Sequence, residues 1–244
     1  MLYPIILALL VSLYGIYTIP EIKGWVGERV VRLFLSVLRD EFIIINNIYI
    51  PAYDGMYTQI DHIVIAACGI IVIETKNYSG KLSGSSRKKY WTAKRGGESA
   101  KVYNPIRQNS YHVKMLKDNC PQLDGVEIFS VICLASGAKV DIRTKIPITG
   151  PVGLVKVIKE LSKTRKKYNK LQIREIEGTV RGIAIVGDSA AKEHKKMLTA
   201  RKERFRRGYC PRCNAKLLRK RGVRGEYLIC SNYPICKFRA SNGI

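Results

Sequence analysis

QIDHIVIAACGIIVIETKN, residues 59–77, is the stretch that decides the fold of this chain. Two runs rich in β-branched residues flank the four-residue link AACG, which ends in glycine, and this pattern predicts a β-hairpin. If the link is symmetric, Asp61 lies opposite Glu74, and Gln59 lies opposite Lys76. Because side chains alternate between the two faces of a strand, all four then point to the same side of the sheet.

The opposed acids of this hairpin predict a cation site. Opposed Cβ atoms lie roughly 4.5–5.5 Å apart, so Asp61 and Glu74 repel each other and raise each other's pKa unless a cation lies between them. Mg²⁺ is often bound by one or two carboxylates together with waters and phosphate oxygens, and such a metal polarises a phosphodiester and activates water. Lys76 adds a positive charge beside the acids. Two alternatives are a charged face that is merely solvated, and a bulge at Gly69 that shifts the register and separates the acids.

The composition favours a polyanionic partner. The chain has 244 residues with 43 Lys+Arg against 19 Asp+Glu, a net charge of +24. A positive field of this strength attracts nucleic acid or anionic lipid headgroups, although generic solubilising charge is an alternative. Seven cysteines are present, four of them close to the C-terminus. An odd number without paired spacing argues against a disulfide scaffold and for a reducing compartment.

Three motifs resemble a known family, the nuclease-related (NERD) domain. They are Gln-Ile-Asp-His at 59–62, Gly-Ile-Ile-Val-Ile-Glu-Thr-Lys-Asn at 69–77, and Asn-Pro-Ile-Arg-Gln at 104–108. The resemblance covers about Gly24 to Ser136. That domain is grouped with the PD-(D/E)XK nucleases, so the resemblance implies an α/β fold with a restriction-endonuclease-like core and a mixed sheet. Ile60 stands where many of those nucleases have proline, but Ile-Asp is what the nuclease-related domain carries.

The resemblance also implies two further site residues. An acid on the first helix approaches the metal in this family, and Gly27-Glu28 matches that position; a glutamate that complements the helix dipole is the alternative. Gln108, in the first turn of a helix capped by Asn104, lies at the active site in the family, whereas an exposed helical glutamine would need no function. The candidate catalytic residues are therefore Glu28, Asp61, Glu74, Lys76 and Gln108, with Asp61 and Glu74 as ligands of Mg²⁺ or Mn²⁺.

The N-terminal segment predicts a membrane anchor. Residues 1–19 carry no charged side chain, and about 20 apolar residues suffice to cross a bilayer as a helix. Lys23, Arg29 and Arg32 follow the segment, so the positive-inside rule places the remainder of the chain in the cytoplasm. We expect residues 1–20 to form a single-pass anchor in the cell membrane. A cleaved signal peptide and a buried core helix are the alternatives.

Four segments of different character follow from these patterns. We expect the anchor at 1–20, a nuclease-related domain at 24–148, a helical and basic connector at 149–207, and a small metal-binding module at 208–244. Within the second segment, residues 78–100 form a basic excursion that includes a short strand at Tyr90-Trp91-Thr92. A mobile basic loop there would contact the backbone of nucleic acid, and a solvated hairpin is the alternative.

The C-terminal module predicts a structural zinc site formed by four cysteines. Cys210 and Cys213 form a CxxC pair, and Cys230 and Cys236 form a second pair after a spacer. Four thiolates in this arrangement form a closed tetrahedral site, and metal binding supplies the folding energy that about 35 residues lack. The segment resembles the C-terminal zinc ribbon of type IA topoisomerases, which implies binding of single-stranded DNA.

Aromatic and basic side chains of the module suit single-stranded DNA. Aromatic rings stack on bases while cations contact the backbone, although one or two of the rings are expected to cover the small core instead. The candidate stacking residues are Tyr227, Tyr233 and Phe238, and the candidate backbone contacts are Arg219, Lys220, Arg221 and Arg224.

Three functional hypotheses remain from the sequence. The first is a membrane-anchored cytoplasmic nuclease, dependent on Mg²⁺, whose zinc ribbon grips single-stranded or junction DNA. The second is a membrane-tethered DNA-binding protein in which a nuclease-like fold no longer cleaves. The third is a basic protein held on anionic lipid, which explains the charge but not the zinc module.

Overall fold

The computed structural model describes residues 20–38, 41–53, 56–223 and 225–241. They form two compact units. The first comprises the described residues up to Ile50 together with Gln59–Ile185, and the second comprises Pro51–Thr58 and the residues from Val186 onward.

A run of six strands follows the first described helix, and three consecutive helices precede the last three strands. In chain order they are α1 (Pro20–Ser36), β1 (Ile43–Pro51), β2 (Tyr57–Ala66), β3 (Gly69–Lys76), β4 (Lys81–Ser83), β5 (Tyr90–Arg95), β6 (Glu98–Tyr103), α2 (Pro105–Asn119), a 3₁₀ turn (Pro121–Leu123), β7 (Ile128–Leu134), β8 (Lys139–Asp141), β9 (Ile148–Thr149), α3 (Pro151–Thr164), α4 (Lys170–Ile183), α5 (Asp188–Arg206), β10 (Leu217–Gly222), β11 (Gly225–Cys230) and β12 (Arg239–Ser241).

The central sheet is mixed, as predicted. Its strand order is β1-β2-β3-β7-β9. The β2–β3 pair is antiparallel, whereas β7 is parallel to both β3 and β9. Parallel neighbours need a crossover connection, which α2 provides between β3 and β7. Every residue of β3 except Lys76 is buried, because helices cover both faces of the strand.

The hairpin has the register that symmetry of the link predicts. His62 pairs with Ile73, and the pairing runs to the turn without a bulge. Continued by one residue, the register places Asp61 opposite Glu74. The turn is shorter than the expected four-residue link, since only Ala67-Cys68 remains unpaired. The bulge that would have separated the acids is absent from this pair of described strands.

The turn of the hairpin is fastened to its surroundings. Gly69 has a φ of 112°, and a Cβ at this position would lie 2.3 Å from the carbonyl oxygen of Glu127. The carbonyl oxygen of Ala67 accepts two hydrogen bonds, from the backbone N–H of Lys167 at 2.8 Å and of Tyr168 at 2.9 Å. The positive φ and the close carbonyl of Glu127 therefore require glycine at position 69. The hydrogen bonds to Ala67 show that the loop after α3 holds the turn in place.

Helices α1 and α3 cover one face of the sheet. Their apolar side chains pack with those of β2, β3 and β7 in a single core. Leu154 and Ile158 of α3 are fully buried there, so α3 belongs with the sheet and not with a separate connector. The principal members of this core are Val31, Leu35, Leu38, Val64, Ile71, Ile73, Val131, Leu154 and Ile158.

Helix α2 covers the opposite face, the one that carries the acids. The side-chain amide nitrogen of Asn109 donates to the carbonyl oxygen of Val72 at 2.8 Å and to the hydroxyl of Ser130 at 2.8 Å. Asn109 is fully buried and so joins α2 to β3 and β7. The helix begins as predicted, with the Asn104 side chain accepting from the N–H of Ile106 at 2.9 Å.

The basic excursion at residues 78–100 contributes strands to an ordered sheet, and hydrogen bonds hold its loop in place. Strands β6-β5-β4-β8 form a four-stranded sheet around the buried Trp91. The amide of Asn104 donates to the carbonyl oxygens of Ser86 at 3.1 Å and Lys88 at 2.7 Å. Asn104 thus ties the basic loop to the start of α2, and the antiparallel β5–β6 pair corresponds to the hairpin that the sequence offered as an alternative to a mobile loop.

The second unit contains α5 and a three-stranded antiparallel sheet, β10-β11-β12. Tyr227 of β11 pairs with Lys220 of β10 and with Ser241 of β12. Across the described residues, no helix has the length and apolar character needed to cross a membrane. The anchor expected at residues 1–20 lies outside them, apart from Pro20.

Candidate functional site

The acidic face of the hairpin carries a close ion pair. The Nζ atom of Lys76 lies 2.7 Å from Oε1 of Glu74. The Glu74 side chain is 1% exposed and that of Lys76 is 23% exposed. Lys76 follows Glu74 by two residues on β3, so the two side chains share a face. The strand therefore positions an acid and a base side by side at its C-terminal end.

Glu74 has a second partner, His112 of α2, which the sequence did not predict as a site residue. The Nε2 atom of His112 lies 3.1 Å from Oε2 of Glu74, and the His112 side chain is 4% exposed. Burial acts to raise the pKa of Glu74, but His112 and Lys76 favour the charged form and lower the pKa below its usual value. The available sequence signal was its spacing, because His112 lies four residues after Gln108 and thus on the same helical face.

Asp61 is less well compensated. Its Oδ2 atom accepts a hydrogen bond from the backbone N–H of Thr75 at 2.8 Å. Burial raises the pKa of Asp61 well above its usual value, and the charges of Glu74 and Glu28 raise it further. Lys76 and the Thr75 hydrogen bond act in the opposite direction without offsetting these effects.

Helix α1 brings Glu28 into the electrostatic field of the other acids. The start of the helix lies against the end of β3, where the amide of Asn77 donates to the carbonyl oxygen of Lys23 at 2.7 Å. The contact is so close that a Cβ at Gly27 would lie 2.9 Å from Cβ of Asn77. Burial, followed by the charge of Glu74, raises the pKa of Glu28.

Lys76 is protonated throughout the physiological range. Burial acts to lower its pKa, but the adjacent Glu74 carboxylate outweighs that effect and raises the pKa to about 12. An ammonium group at neutral pH donates hydrogen bonds and supplies positive charge, and it cannot accept a proton.

Gln108 and His62 lie on different elements, α2 and β2. Gln108 lies in the first turn of α2 and is half-buried. His62 is buried on the opposite face of β2, with Nδ1 lying 2.7 Å from Oδ1 of Asn46. Burial lowers the pKa of His62 to about 4, so this histidine is neutral and structural.

The acids fit a hard cation with an incomplete protein ligand set. Burial is the main cause of the raised pKa values of Asp61 and Glu28, and the nearby Glu74 carboxylate raises both further. Carboxylate oxygens are the ligands of Mg²⁺, which uses one or two of them and keeps several waters. In the described part of the chain, the only closed set of three or more His, Cys, Asp or Glu ligands is the cysteine cluster. Asp61 and Glu74 would thus hold Mg²⁺ together with water, and Glu28 would act nearby.

The cysteines of the second unit come together as a zinc site requires. All four sulfur atoms lie within 4.8 Å of one another. The Sγ atoms of Cys210 and Cys236 are 3.7 Å apart, and those of Cys213 and Cys230 are 3.3 Å apart. A tetrahedral site with Zn–S bonds of about 2.3 Å needs sulfur separations of about 3.8 Å. The donor set and its size therefore fit Zn²⁺.

Backbone amides support the sulfur atoms of this site. The N–H of Arg212 donates to Sγ of Cys210 at 3.4 Å, and the N–H of Asn232 donates to Sγ of Cys230 at 3.4 Å. Such outer hydrogen bonds orient metal ligands. Each donor follows its cysteine by two residues, so the two cysteine pairs are held by equivalent turns.

The aromatic residues of the ribbon have different environments. Tyr233 is 51% exposed, and the Arg239 guanidinium lies 5.5 Å from its ring and 5.0 Å from the ring of Tyr227. Phe238 packs edge-on against Phe205 of α5 with ring centroids 6.0 Å apart. Tyr233 is therefore open for stacking, whereas Tyr227 and Phe238 are half-buried.

The predicted basic contacts lie mainly on β10. Lys220 and Arg221 are exposed, and Arg219 pairs with Glu226 at 3.5 Å. Arg224 lies outside the described residues. Arg239, which the sequence had not singled out, adds a cation between two tyrosines.

Two segments of the chain match known protein families. Residues 23–135 match the family described as nuclease-related domain, NERD. Residues 207–242 match the family described as topoisomerase DNA binding C4 zinc finger. No solved structure matches the chain.

Two curated relatives cover parts of the chain. An uncharacterized protein of Bacillus anthracis is 36% identical over 116 residues, which are 46% of this chain and 55% of that protein. DNA topoisomerase 1 of Methanocaldococcus jannaschii is 59% identical over 29 residues, 12% of this chain and 4% of that enzyme. The chain thus spans about half of the first relative and a small part of the second. It combines a segment similar to the nuclease-related domain with a C-terminal segment similar to the topoisomerase C4 zinc finger.

Proposed function

We propose that the protein is a Mg²⁺-dependent nuclease that hydrolyses phosphodiester bonds of DNA. The observation that carries this proposal is the proximity of a partly compensated acid, Asp61, to a charge-compensated acid, Glu74, beside the Lys76 ammonium. Mg²⁺ bound by the two acids would polarise the scissile phosphate and activate a water. The similarity of residues 23–135 to the nuclease-related domain supports the proposal.

Each residue of the site has a separate task under this proposal. Asp61 and Glu74 supply oxygen ligands, and Glu28 adds negative charge that strengthens cation binding. Lys76, with a pKa raised to about 12, donates hydrogen bonds to the phosphate and orients the attacking water as an ammonium. Gln108 lies one helical turn before His112 and would hold a water or a phosphate oxygen.

The zinc ribbon binds the DNA substrate under this proposal. Tyr233 offers an exposed face for base stacking, while Lys220, Arg221 and Arg239 offer charge for the backbone. Single-stranded or junction DNA presents the unstacked bases that such a surface needs. The similarity of residues 207–242 to the topoisomerase DNA binding zinc finger supports this assignment.

We further propose that residues 1–20 anchor the protein in the cell membrane with the remaining chain in the cytoplasm. The outward face of α1 supports this, since Trp25 and Leu33 are 56% and 69% exposed. Arg29 and Arg32 are exposed on the same face, and the Arg29 guanidinium lies 4.6 Å from the Trp25 ring. Apolar and basic side chains together suit an anionic membrane surface.

Flotation on vesicles tests the anchor. The full chain should float with anionic vesicles and resist extraction by high salt, whereas a chain beginning at Pro20 should float weakly and be released by salt. A full chain that salt removes completely would show that residues 1–20 are not an anchor.

The nuclease proposal is tested by cleavage of single-stranded, branched and duplex DNA by the full chain. We expect cleavage with Mg²⁺ or Mn²⁺ and none with Glu74→Gln or Asp61→Asn, while Asp141→Asn, at an exposed ion pair on β8, cleaves like the original protein. Cleavage that persists in both acid variants would reveal a contaminant and contradict the proposal.

A non-catalytic DNA-binding protein is the second candidate. One observation favours it, because Lys76 and His112 contact both oxygens of Glu74 and a permanent contact of this kind would exclude a metal ion. Tight DNA binding with no turnover under any divalent cation would select this function. Binding of Mg²⁺ that is lost in Asp61→Asn would argue against it.

A further inference from the structure

The two contacts to Glu74 differ in how firmly each is held. Lys76 reaches Oε1 through a flexible four-carbon side chain that is 23% exposed. His112 reaches Oε2 from inside α2 with a side chain that is 4% exposed. A lysine ammonium adjusts its position easily, whereas an imidazole on a packed helix has little freedom. The Oε1 atom is therefore the oxygen that Glu74 can offer to a cation.

Helix α2 is itself fixed at the position of His112. Asn109, three residues earlier, donates from its amide to Val72 of β3 and Ser130 of β7 at 2.8 Å each. Asn104 caps the first turn. Met115 and Leu116, which follow His112, are buried. The helix cannot shift along β3 without breaking these contacts, so the separation between His112 and Glu74 is set by the fold.

We infer that His112 is a positioning residue that restricts Glu74 to binding a divalent cation through one oxygen. This inference rests on the proposed cation site. Mg²⁺ accepts single oxygens in a strict octahedral arrangement, whereas Ca²⁺ takes more ligands and readily accepts both oxygens of one carboxylate. By occupying Oε2, His112 would make the site selective for the smaller cation.

Two substitutions of His112 separate positioning from packing. Leucine has a similar volume and no N–H group, so His112→Leu frees Oε2. Glutamine places an amide N–H near the position of Nε2, so His112→Gln should keep Oε2 engaged. Melting temperatures of both variants in the zinc-loaded protein report whether the fold is retained.

The readout is binding of Mg²⁺ and Ca²⁺ to the full, zinc-loaded chain, measured by calorimetry without DNA, with Asp61→Asn as the control for site-specific binding. We expect His112→Leu to shift the ratio of the two affinities towards Ca²⁺ by about tenfold or more, equal to about 1.4 kcal/mol. His112→Gln should keep the original ratio.

The possible outcomes distinguish this inference from the proposed function. An unchanged ratio in folded His112→Leu, with Mg²⁺ binding that depends on Asp61, overturns the positioning inference alone. A chain that binds no divalent cation through Asp61 overturns the cation site and with it the inference. If the ratio shifts as expected but no DNA is cleaved, the inference holds and the proposed hydrolysis fails.

Discussion

Asp61 and Glu74 lie one position beyond the last paired residues of β2 and β3, and the fold compensates the charge of Glu74 more fully than that of Asp61. Glu74 contacts Lys76 and His112, whereas Asp61 accepts the N–H of Thr75. The pKa of Glu74 is consequently lowered and that of Asp61 is raised. Two acids that are equivalent in the sequence pattern thus have opposite effects on stability.

The first prediction concerns these opposite effects. Asp61→Asn should raise the melting temperature at pH 7 without added Mg²⁺, because it removes an unfavourable charge. In a chain of this size, each kcal/mol of added stability raises the melting temperature by about 2–4 °C. Glu74→Gln should lower stability by at least about 1–3 kcal/mol, since Lys76 and His112 lose their anion. Melting curves of the zinc-loaded protein measure both effects.

The stability of the folded protein should depend on pH in opposite ways through Asp61 and through Glu74. For Asp61 the folded pKa exceeds the unfolded value of about 3.9, so stability decreases as pH rises between the two values, and the gain from Asp61→Asn should vanish near pH 4. For Glu74 the folded pKa is depressed, so its contribution is present at neutral pH and is lost as pH falls through that folded pKa. Equal effects of both substitutions at pH 7 would contradict this account.

The second prediction concerns Lys76 as a permanent cation. Lys76→Met should lower cleavage by about 10²–10³-fold, the typical cost of one electrostatic donor, while Lys81→Met, at an exposed ion pair, should have no effect. Because Glu74 raises the pKa of Lys76 to about 12 in the metal-free protein, the affinity of the metal-free protein for DNA should show no alkaline decline from Lys76 between pH 6 and pH 10. A decline in that range that Lys76→Arg abolishes would contradict the assignment.

The third prediction concerns Asn109, which joins α2 to two strands. Asn109→Ala should cost about 1–3 kcal/mol, because buried backbone and hydroxyl acceptors lose their donor. Cleavage should decrease further than the loss of folded protein explains, since α2 also carries Gln108 and His112. Ser110→Ala removes only a hydrogen bond to Ile106 within the helix and serves as the control for both measurements.

The fourth prediction concerns zinc. The purified chain should contain one Zn²⁺, and Cys213→Ser should lose it together with the ordered ribbon. The melting transition of the first unit should be unchanged, because the four cysteines belong to the second unit. Cys120→Ala, at a buried cysteine of the first unit, should keep its zinc. Retention of zinc by Cys213→Ser would contradict a four-cysteine site.

The fifth prediction concerns the two kinds of aromatic residue in the ribbon. Tyr233→Ala should weaken binding of single-stranded DNA by about 1–3 kcal/mol, the typical value for one stacked base. Phe238→Leu should lower the stability of the ribbon through its contact with Phe205 and leave affinity nearly unchanged. Binding isotherms at several salt concentrations make the comparison, because the electrostatic part of the affinity falls with salt. The reverse order of effects would exclude Tyr233 as the stacking residue.

The hairpin could be predicted from sequence because its geometry follows from local rules. Period-2 alternation and a symmetric link determine which residues share a face, and no distant contact is needed to place Asp61 opposite Glu74. The cysteine cluster is equally local, since two short-spaced pairs bring four sulfurs together. The cap at Asn104 also depends on only two neighbouring residues.

Other features depend on contacts between distant segments. His112 becomes a partner of Glu74 only after α2 crosses over the sheet, and the sequence spacing alone does not reveal the orientation of that helix. The sequence placed Leu154 and Ile158 in a basic connector, whereas the structure shows that they share a core with α1. Phe238 was a candidate stacking residue, and its edge-on contact with Phe205 of α5 could not be predicted from the sequence.

The turn at Gly69 limits which substitutions the site can tolerate. A side chain at Gly69 would meet the carbonyl of Glu127, and the turn would have to move or slip. A slip of one residue turns every side chain of the strand to the other face, which would leave Glu74 beside α1 and α3 and remove it from Asp61. In a library of random variants, Gly69 should therefore tolerate as few substitutions as the acids themselves, although it lies at the opposite end of the strand.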